Sequence, residues 1–257
     1  MRVAVAGKGG AGKTTLSAAL ARTFARLGHT VVAIDADTNP NLAAALGANL
    51  ALVEATPTLP LDLVSRKLGG AALRFPLADV LNAHATTTPD GVRLVRMGMA
   101  QHADEGCLCG AHAVGSALLA DLGEAADTIT IMDLEASPEH LSRGTARHAD
   151  VLLLVAEPYF RSLETVRLQA RLARELPLVH LGVVANKVRT QADADAIREF
   201  TTALDLTVDG ELPFSDEVTS ADRAALSVLD VAPNGAVATA VADLAARLLK
   251  LGVRACA

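Results

Sequence analysis

Residues 3–15 read VAVAGKGGAGKTT, a short apolar run followed by a glycine-rich loop that ends in lysine and two threonines. The spacing from Gly7 to Thr14 fits the pattern G-x-x-x-x-G-K-[ST], and the residues that follow have the apolar spacing of a helix. A loop in this position lets successive backbone N–H groups turn toward phosphate oxygens, and the helix adds the positive end of its dipole. The sequence therefore predicts a phosphate-binding loop between the first strand and the first helix.

The side chains and the backbone of this loop have separate predicted roles. Lys13 is expected to reach the β- and γ-phosphates of a nucleotide, and the Thr14 hydroxyl is expected to join the shell of a Mg²⁺ ion. The predicted nucleotide-binding residues of the loop are Gly7, Gly9, Gly10, Ala11, Gly12, Lys13, Thr14 and Thr15.

The rest of the chain alternates strand-like and helical patterns. Of its 257 residues 51% are hydrophobic and only 2% aromatic, which suits alanine- and valine-rich strands covered by helices on both faces. We therefore predict an α/β fold, a doubly wound and mostly parallel sheet flanked by helices, as a single domain over residues 1–257. The predicted strands are Arg2–Ala6, Thr30–Ile34, Val92–Met97, Thr128–Met132, Val151–Val155, His180–Ala185 and Thr207–Glu211. The predicted helices include Thr14–Leu27, Ser162–Leu176, Ala192–Leu204 and Ala236–Leu251.

Residues 50–89 interrupt this alternation. Four prolines fall in or at the end of the segment, at Pro57, Pro60, Pro76 and Pro89, and neither a helical nor a strand period is clear. The segment is expected to be an irregular insertion of short helices and loops rather than a second domain.

Charge and cysteine content limit the classes of partner and compartment. A net charge of −6 argues against a general nucleic-acid or anionic-membrane surface. No apolar run reaches transmembrane length, the first residues lack a signal-peptide pattern, and three cysteines do not make a disulfide framework. We expect a cytoplasmic protein with no nucleic-acid partner and no stable membrane anchor.

Carboxylates follow two of the predicted strands, at the edge where ligands of such sheets bind. Asp35 and Asp37 come directly after the second strand, and two carboxylates at this spacing in a loop can both face a Mg²⁺–phosphate centre. Asp133 follows the strand Thr128–Met132 and is in position to hold Mg²⁺ through water. A solvated turn before Pro40 and a helix-capping role for Asp133 are the structural alternatives.

Two of the three cysteines, Cys107 and Cys109, stand at C-x-C spacing in a glycine-flanked segment before a helical run. Such a pair can bring two thiolates to one metal ion, and a homodimer would supply the four ligands of a closed tetrahedral site. Thiolate softness does not by itself select Ni²⁺ over Zn²⁺. Residues 100–112 are therefore a candidate metal loop. Buried apolar cysteines and a redox dithiol are alternatives, and His102 and His112 are either further ligands or ordinary surface or capping histidines.

The position of Lys8 gives the phosphate loop a family resemblance. The pattern K-G-G-x-G-K-T-T over residues 8–15 resembles the deviant Walker A motif of the MinD, ParA and nitrogenase iron-protein families. In these families the early lysine crosses a dimer interface to the nucleotide of the other subunit, where its charge stabilises phosphoryl transfer. The resemblance implies that Lys8 and Lys13 are catalytic. It also implies that Asp37 orients the attacking water as the third catalytic residue, and that Asp35 touches the Mg²⁺ shell. A solvated surface lysine is the alternative for Lys8.

A second resemblance is narrower. Residues 133–145 read DLEASPEHLSRGT, which is similar to the switch II region of the CooC family of nickel-insertion ATPases. The family usually carries glycine where this chain has Ser137 and Ser142. Further segments that fit the family are Val155–Pro158, Arg161–Thr165 and Ala185–Val188.

The CooC resemblance implies a Mg²⁺-dependent, homodimerising ATPase that binds ATP and ADP and serves as a nickel metallochaperone in carbon monoxide dehydrogenase maturation. It implies Ni²⁺ or Zn²⁺ held by the two cysteines at the dimer interface, and a nickel carbon monoxide dehydrogenase or another metalloenzyme as the client. Asn186 is expected to bind the adenine edge, with a structural helix cap as its alternative. Lys187, Pro213 and Phe214 are the other expected residues of the base pocket.

Two other functions remain open on the sequence. A spatial-positioning ATPase of the MinD or ParA kind would act on a membrane or on DNA, and its membrane form would need a carboxy-terminal anchor. One apolar face of the last predicted helix could act as this membrane anchor or could instead pack on the sheet. This face carries Val237, Val241, Leu244, Leu248 and Leu251. An iron–sulfur reductase like the nitrogenase iron protein would need two cysteines from separate loops of each chain, and the second of these is missing here.

Overall fold

The centre of the fold is a mostly parallel β-sheet, in a computed structural model that describes residues 1–67, 70–98, 109–125 and 127–251. The strands of the described chain are, in order, β1 (Arg2–Gly7), β2 (Thr30–Ala36), β3 (Val64–Lys67), β4 (Gly70–Leu73), β5 (Thr86–Thr87), β6 (Arg93–Arg96), β7 (Thr128–Leu134), β8 (Val151–Ala156), β9 (His180–Val188) and β10 (Thr207–Pro213). Eight strands form one sheet in the order β10-β9-β8-β1-β7-β2-β6-β5, and β3 pairs with β4 alone. Among the described strands of the large sheet, β5 alone runs antiparallel to its neighbour. The prediction of a doubly wound, mostly parallel α/β sheet is confirmed.

Helices cover both faces of this sheet. They are α1 (Lys13–Arg26), α2 (Leu42–Ala45), α3 (Leu50–Ala55), α4 (Leu77–His84), α5 (Cys109–Leu122), α6 (Glu139–Ser142), α7 (Phe160–Ala173), α8 (Gln191–Ala203), α9 (Asp216–Arg223), α10 (Val228–Val231) and α11 (Ala236–Lys250). The apolar residues of α1, α2, α10 and α11 form one core with one face of the strands. Those of α4, α5, α7 and α8 form a second core on the opposite face. Burial on both faces explains why β1 and β8 are uninterrupted runs of small aliphatic residues.

Residues 50–89 contain more regular structure than the sequence predicted. Besides short helices, the segment forms the antiparallel β3–β4 hairpin and ends in β5, which adds an eighth strand to the edge of the sheet. The expectation of helices and loops alone was wrong here. The reason is length: strands of four or two residues are too short for an alternating pattern to stand out between prolines.

The register of the central strands brings the predicted carboxylates together. Asp35 of β2 lies directly beside Asp133 of β7 in the parallel ladder, and Asp133 in turn lies beside Val5 of β1. Alternate residues of a strand point to the same face of the sheet. Asp35 and Asp133 therefore face α1, because the alternate residues before them in each strand, Val31, Ala33, Ile129 and Ile131, pack in the core beneath α1. The fold therefore puts two carboxylates under the first turn of α1.

Leu61 of the insertion packs against Gly98 and Gly110. A β-carbon placed on Gly98 or on Gly110 would lie 3.5 Å from the Leu61 side chain, so this leucine packs over the residues on either side of the undescribed segment 99–108. Leu61 itself is 57% exposed. Leu61 thus places the insertion beside Gly98 and beside Gly110 at the start of α5.

The apolar face of α11 lies on the sheet. Val237, Val241, Leu244 and Leu248 are buried in the α1 core, and only Leu251 beyond the helix is exposed. Among the helices of the described part of the chain, none has both the length and the apolar content that a membrane crossing requires. The face that the sequence offered as a possible anchor is used for packing.

Candidate functional site

The phosphate loop is a tight turn between β1 and α1. Gly12 stands immediately before α1 with φ 97°, a left-handed conformation, and a β-carbon there would lie 2.3 Å from the Asn186 amide nitrogen. No side chain caps the helix at this position. The first-turn N–H groups of an α-helix have no partner within the helix, so those of Lys13, Thr14 and Thr15 are free to bind an anion.

The two lysines of the loop differ in burial. Lys13 is only 5% exposed, and its Nζ lies 3.4 Å from the Lys8 carbonyl oxygen. Lys8 is half-buried, with Nζ 3.3 Å from the Gly9 carbonyl oxygen and 5.7 Å from the centre of the Tyr159 ring. Lys13 is therefore buried within the loop, whereas Lys8 is partly exposed and lies near Tyr159.

A pair of buried carboxylates lies beneath the loop. Asp133 accepts a 2.7 Å hydrogen bond from Thr14 Oγ1 and a 3.1 Å hydrogen bond from Ser17 Oγ. Asp35 accepts from the backbone N–H of Leu42 at 3.0 Å. Burial raises the pKa of Asp35 to about 7, with the neighbouring Asp133 charge adding to the shift. Burial likewise raises the pKa of Asp133 to about 6.

These residues fit a Mg²⁺ ion bound beside nucleotide phosphates. Two adjacent buried carboxylates with raised pKa values are costly without a cation, and the Thr14 hydroxyl already lies in contact with Asp133. Magnesium in such sites takes one or two carboxylates and completes its shell with phosphate oxygens and water. The residues that would hold it are Thr14, Asp35 and Asp133.

Asp37 lies at the rim of this centre. Its Oδ1 accepts a 2.9 Å hydrogen bond from the N–H of Asn39, which is the turn that the sequence allowed as a structural alternative. Its charge reaches the buried groups, because it adds to the raised pKa values of Asp133 and Glu135, both of which are raised first by burial. Asp37 is therefore a partly exposed carboxylate facing the buried pair.

The switch II segment contacts the phosphate loop from the side. A β-carbon on Gly9 would lie 3.6 Å from the Ala136 β-carbon. Ser137 Oγ accepts from the N–H of Glu139 at 3.1 Å, and Ser142 Oγ donates to the Glu139 carbonyl at 2.9 Å. The two serines that replace family glycines thus hold the short helix α6 in shape.

His140 of α6 is wholly buried and lies against the backbone of Ser137. Burial lowers its pKa to about 3, so the ring is neutral.

Asn186 lies beside the phosphate loop with half of its hydrogen-bonding capacity in use. Its Nδ2 donates to the Ala11 carbonyl at 2.7 Å, and its Oδ1 accepts from the N–H of Lys187 at 2.9 Å. A side-chain amide has two donor hydrogens and two acceptor lone pairs, so one of each remains. One donor and one acceptor are what an adenine edge requires.

A cleft lies at the ends of β9 and β10. It has a volume of about 260 Å³ and is lined by Val188, Arg189, Thr190, Gln191, Glu211 and Pro213. The Arg189 guanidinium stacks 3.4 Å above the ring centre of Phe214. Pro213 lines the cleft directly, and Phe214 contributes through this stack.

Sequence reasoning missed several residues around the loop. Ser17 is one turn beyond Thr14 on the same face of α1, a spacing that could have indicated contact with Asp133. Glu157 and Tyr159 contact the loop region through Lys187 and Lys8, and no local pattern signals such contacts between strand ends distant in sequence.

The cysteine pair is described only in part. Cys107 and His102 lie outside the described residues, and Cys109 is the first residue of α5 rather than part of a loop. Among the described residues, no cluster of three or more histidine, cysteine, aspartate or glutamate side chains forms a ready metal cage. His112 Nδ1 lies 2.9 Å from Thr145 Oγ1, so one of its two ring nitrogens is already hydrogen-bonded.

Comparison with known proteins agrees with this geometry. Residues 3–228 match the family model described as the CobQ/CobB/MinD/ParA nucleotide binding domain. The chain is 35% identical over 241 residues to the carbon monoxide dehydrogenase accessory protein CooC of Rhodospirillum rubrum, which covers 91% of each protein. It is 33% identical over 226 residues to an uncharacterized ATP-binding protein of Methanocaldococcus jannaschii, over 85% of this chain and 87% of that protein.

Solved structures show the same fold. MinD from Pyrococcus horikoshii OT3, complexed with Mg-ADP, superposes with a TM-score of 0.74 at 18% identity over 99% of this chain and 98% of that chain. MinD from Aquifex aeolicus superposes with a TM-score of 0.72 at 19% identity over 97% of each chain. The chain therefore belongs to the CobQ/CobB/MinD/ParA family of nucleotide-binding ATPases, as a CooC-type member.

Proposed function

We propose that this protein is a Mg²⁺-dependent, homodimeric ATPase that delivers Ni²⁺ to a metalloenzyme, with a nickel carbon monoxide dehydrogenase as the first candidate client. One observation carries the proposal: the C-x-C pair leads directly into α5, and the first turn of α5 is hydrogen-bonded to the end of switch II through His112 and Thr145. A metal site and a nucleotide site built on one helix can influence each other. The similarity to CooC supports the choice of client.

The nucleotide half of the proposal rests on the loop and the buried carboxylates. Lys13 and the first-turn amides of α1 would bind the phosphates, and Asp37 would orient the attacking water from its place at the rim. Mg²⁺, held by Thr14, Asp35 and Asp133, would neutralise charge on the phosphates when bound.

The proposed homodimer rests on two sites that one chain cannot complete by itself. Two thiolates per chain leave a tetrahedral thiolate site half-filled, so Cys107 and Cys109 would need their counterparts across a twofold axis. Lys8 is partly exposed and bonds to the neighbouring Gly9 carbonyl, so its ammonium group could reach the nucleotide of a facing chain. Nickel would be the cargo of this dimer, and zinc would compete for the same thiolates.

Metal stoichiometry tests this proposal. Equilibrium dialysis with metal analysis should give one Ni²⁺ or Zn²⁺ per two chains, and light scattering should show that the metal favours the dimer. Binding should weaken as the pH falls, because the ligands must be thiolates. The double variant Cys107→Ser/Cys109→Ser should lose the metal but keep ATP. Cys256→Ser is the matched control and should change neither property.

Two results would contradict the metal assignment: one metal ion per monomer, or metal retained by the double variant. Delivery is tested separately by activating a nickel-free carbon monoxide dehydrogenase with the nickel-loaded protein. ATP should accelerate activation, and the Asp37→Ala variant, which should bind ATP without hydrolysing it, should not support that acceleration. If ATP accelerates activation equally with Asp37→Ala and with the wild type, metal delivery does not require ATP hydrolysis.

A further inference from the structure

A cluster outside the Mg²⁺ centre connects the phosphate loop to the ends of β8 and β9. Glu157 follows β8 and is only 5% exposed. One of its carboxylate oxygens lies 2.8 Å from Lys187 Nζ. The same Nζ donates a 2.5 Å hydrogen bond to the Gly10 carbonyl. A buried carboxylate therefore holds a lysine against the backbone of the loop.

The other oxygen of Glu157 is also in use. Tyr159 donates its hydroxyl hydrogen to Glu157 Oε2, and the Glu157 N–H donates to Ser162 Oγ at 3.0 Å. The ring of Tyr159 faces Lys8, whose Nζ is 5.7 Å from the ring centre. A cation at this distance over an aromatic face is weakly attracted. Glu157 is thus the common anchor of Lys187 and Tyr159.

Two neighbouring residues of β9 bond to two neighbouring carbonyls of the loop. Asn186 donates to the Ala11 carbonyl at 2.7 Å, and Lys187 donates to the Gly10 carbonyl at 2.5 Å. Lys187 has φ 57°, a left-handed conformation that costs a non-glycine residue about 1 kcal/mol. The unfavourable backbone is retained where both side chains reach the loop.

The direction of these carbonyls matters for phosphate binding. A loop that binds an anion turns its N–H groups toward the ligand, so its carbonyl oxygens must point elsewhere and find donors there. Lys187 and Asn186 are those donors for Gly10 and Ala11. Without the Lys187 donor, nothing among the described contacts would fix the Gly10 carbonyl on the outer side.

We propose that Glu157 and Tyr159 are positioning residues of the ATP site: Glu157 holds Lys187 against the Gly10 carbonyl, and Tyr159 fixes the Glu157 carboxylate while its ring supports Lys8. The inference rests on the nucleotide-binding half of the proposed function and is independent of the metal. It assigns Lys187 to the loop backbone, although the sequence predicted it as a nucleotide contact.

The affinity for Mg-ATP, measured by calorimetry on protein without bound Ni²⁺ or Zn²⁺, tests the inference. Lys187→Met should weaken binding roughly tenfold, since a charged hydrogen bond to the loop is lost. Lys187→Arg keeps a donor and should restore most of that loss. Glu157→Gln should weaken binding by a similar factor, and Tyr159→Phe by roughly two- to threefold.

A double-mutant cycle separates positioning from general damage. Because Glu157 acts through Lys187, the Glu157→Gln/Lys187→Met protein should bind ATP about as well as Lys187→Met alone. Glu164 and Arg167 of α7 form an exposed pair away from the loop, so Glu164→Gln and Arg167→Met are matched controls and should keep wild-type affinity. Thermal melting without nucleotide reports whether each variant is folded.

Three outcomes would overturn the inference. These are ATP affinity of Lys187→Met within twofold of wild type, additive losses in the cycle, or no recovery in Lys187→Arg. If Glu157→Gln does not fold, Tyr159→Phe and the two Lys187 variants still decide the matter. Lys13→Ala is the reference variant for the nucleotide site as a whole. If Lys13→Ala binds ATP normally, the proposed nucleotide site itself is wrong. If Lys13→Ala loses ATP binding while Lys187→Met keeps wild-type affinity, only the positioning role is wrong.

Discussion

His112 Nδ1 and Thr145 Oγ1 lie 2.9 Å apart in a buried contact between α5 and the end of switch II. A second contact supports the first: Ser116 Oγ donates to the Gly144 carbonyl at 3.4 Å. His112 also lines a small cleft beside Asp37. The first turns of α5 are therefore packed against both segments that would respond to a nucleotide.

Thr145→Val should weaken communication between the metal and the nucleotide. The change preserves shape but removes the hydroxyl that faces His112, a bond worth about 1 kcal/mol. We expect ATP to change metal affinity roughly fivefold less in the variant than in the wild type, and metal to change ATP affinity less by the same factor. Metal titrations with and without a non-hydrolysed ATP analogue measure this.

Thr165→Val is the control for that experiment. Thr165 Oγ1 bonds only to its own helix at Arg161, on an exposed surface, so coupling should be unchanged. Equal coupling in Thr145→Val and the wild type would show that the α5–switch II contact does not transmit between the sites.

Asp35 should make the nucleotide-free protein progressively less stable as the pH rises from about 4 to about 7. Burial raises the pKa of Asp35 to about 7, so the folded chain holds a proton that the unfolded chain has released above about pH 4. This contribution is fully present at low pH and is lost as the pH rises through the raised pKa. Asp35→Asn should melt near the wild-type temperature at pH 4, and its advantage over the wild type should grow up to about pH 7 and stay at its maximum at pH 8.

The difference in melting temperature between the wild type and Asp35→Asn reports on the Asp35 carboxyl group alone. His140, whose pKa burial lowers to about 3, works in the opposite direction below pH 6.5 but contributes equally to both proteins. Mg-ADP should reduce the gap at pH 8, because the cation favours the ionised carboxylates of Asp35 and Asp133. A gap that stays constant from pH 5 to pH 8 would show that Asp35 does not titrate in this range.

The phosphate loop and the sheet were predictable because their signals are local. The spacing of Gly7 to Thr14 fixes a strand–loop–helix turn, and alternation of apolar runs with helical patterns fixes parallel order. The pairing of Asp35 and Asp133 was also predictable, since both lie at the carboxyl ends of neighbouring parallel strands, although the structure includes them in β2 and β7 rather than after these strands. The boundaries of the predicted helices differ from those observed by at most three residues, because the ends of helices are weakly specified by local sequence.

Contacts between distant segments were not predictable. Glu157 meets Lys187 only because β8 and β9 are neighbours in register, which no window of sequence contains. The β3–β4 hairpin was missed because its strands are short and lie among prolines. In both cases tertiary neighbours, rather than local propensity, determine the structure.

Arg22→Met should destabilise the fold by about 2 kcal/mol. Arg22 is 2% exposed, and its guanidinium contacts Asp90 at 2.6 Å and Asp230 at 2.6 Å, joining α1 to two other segments. The hydrogen bond from Arg22 lowers the pKa of Asp230. Because both carboxylates are partly exposed, they can be rehydrated, which keeps the cost below that of a wholly buried pair. Denaturant unfolding measures the change.

Arg26→Met is the matched control. Arg26 approaches the same two carboxylates, but its side chain is 39% exposed, so its loss should cost no more than about 0.5 kcal/mol. Equal costs for the two variants would show that burial of Arg22 does not strengthen its ion pairs.

Gly12→Ala should weaken ATP binding by roughly a hundredfold or more. The new β-carbon would lie 2.3 Å from the Asn186 amide nitrogen, which is held by the Ala11 carbonyl, and the backbone would remain at φ 97°. Gly28→Ala shares the positive φ, at 92°, but has open space around it. It should cost about 1 kcal/mol of stability and leave ATP affinity intact. Similar ATP affinities for the two variants would mean that Asn186 can move aside without cost.

Lys8→Ala and Asp37→Ala should each abolish hydrolysis, and mixing them should restore it. If Lys8 serves the nucleotide of the facing chain, a mixed dimer has one complete site: Asp37 from the Lys8→Ala chain and Lys8 from the Asp37→Ala chain. An equal mixture should then recover about a quarter of wild-type phosphate release, because half of the dimers are mixed and each has one working site of two. A mixture of Lys13→Ala with Asp37→Ala is the control and should stay inactive, since both residues act in their own chain. No recovery in the first mixture, with mixed dimers verified by differently tagged chains, would show that Lys8 does not act across the interface.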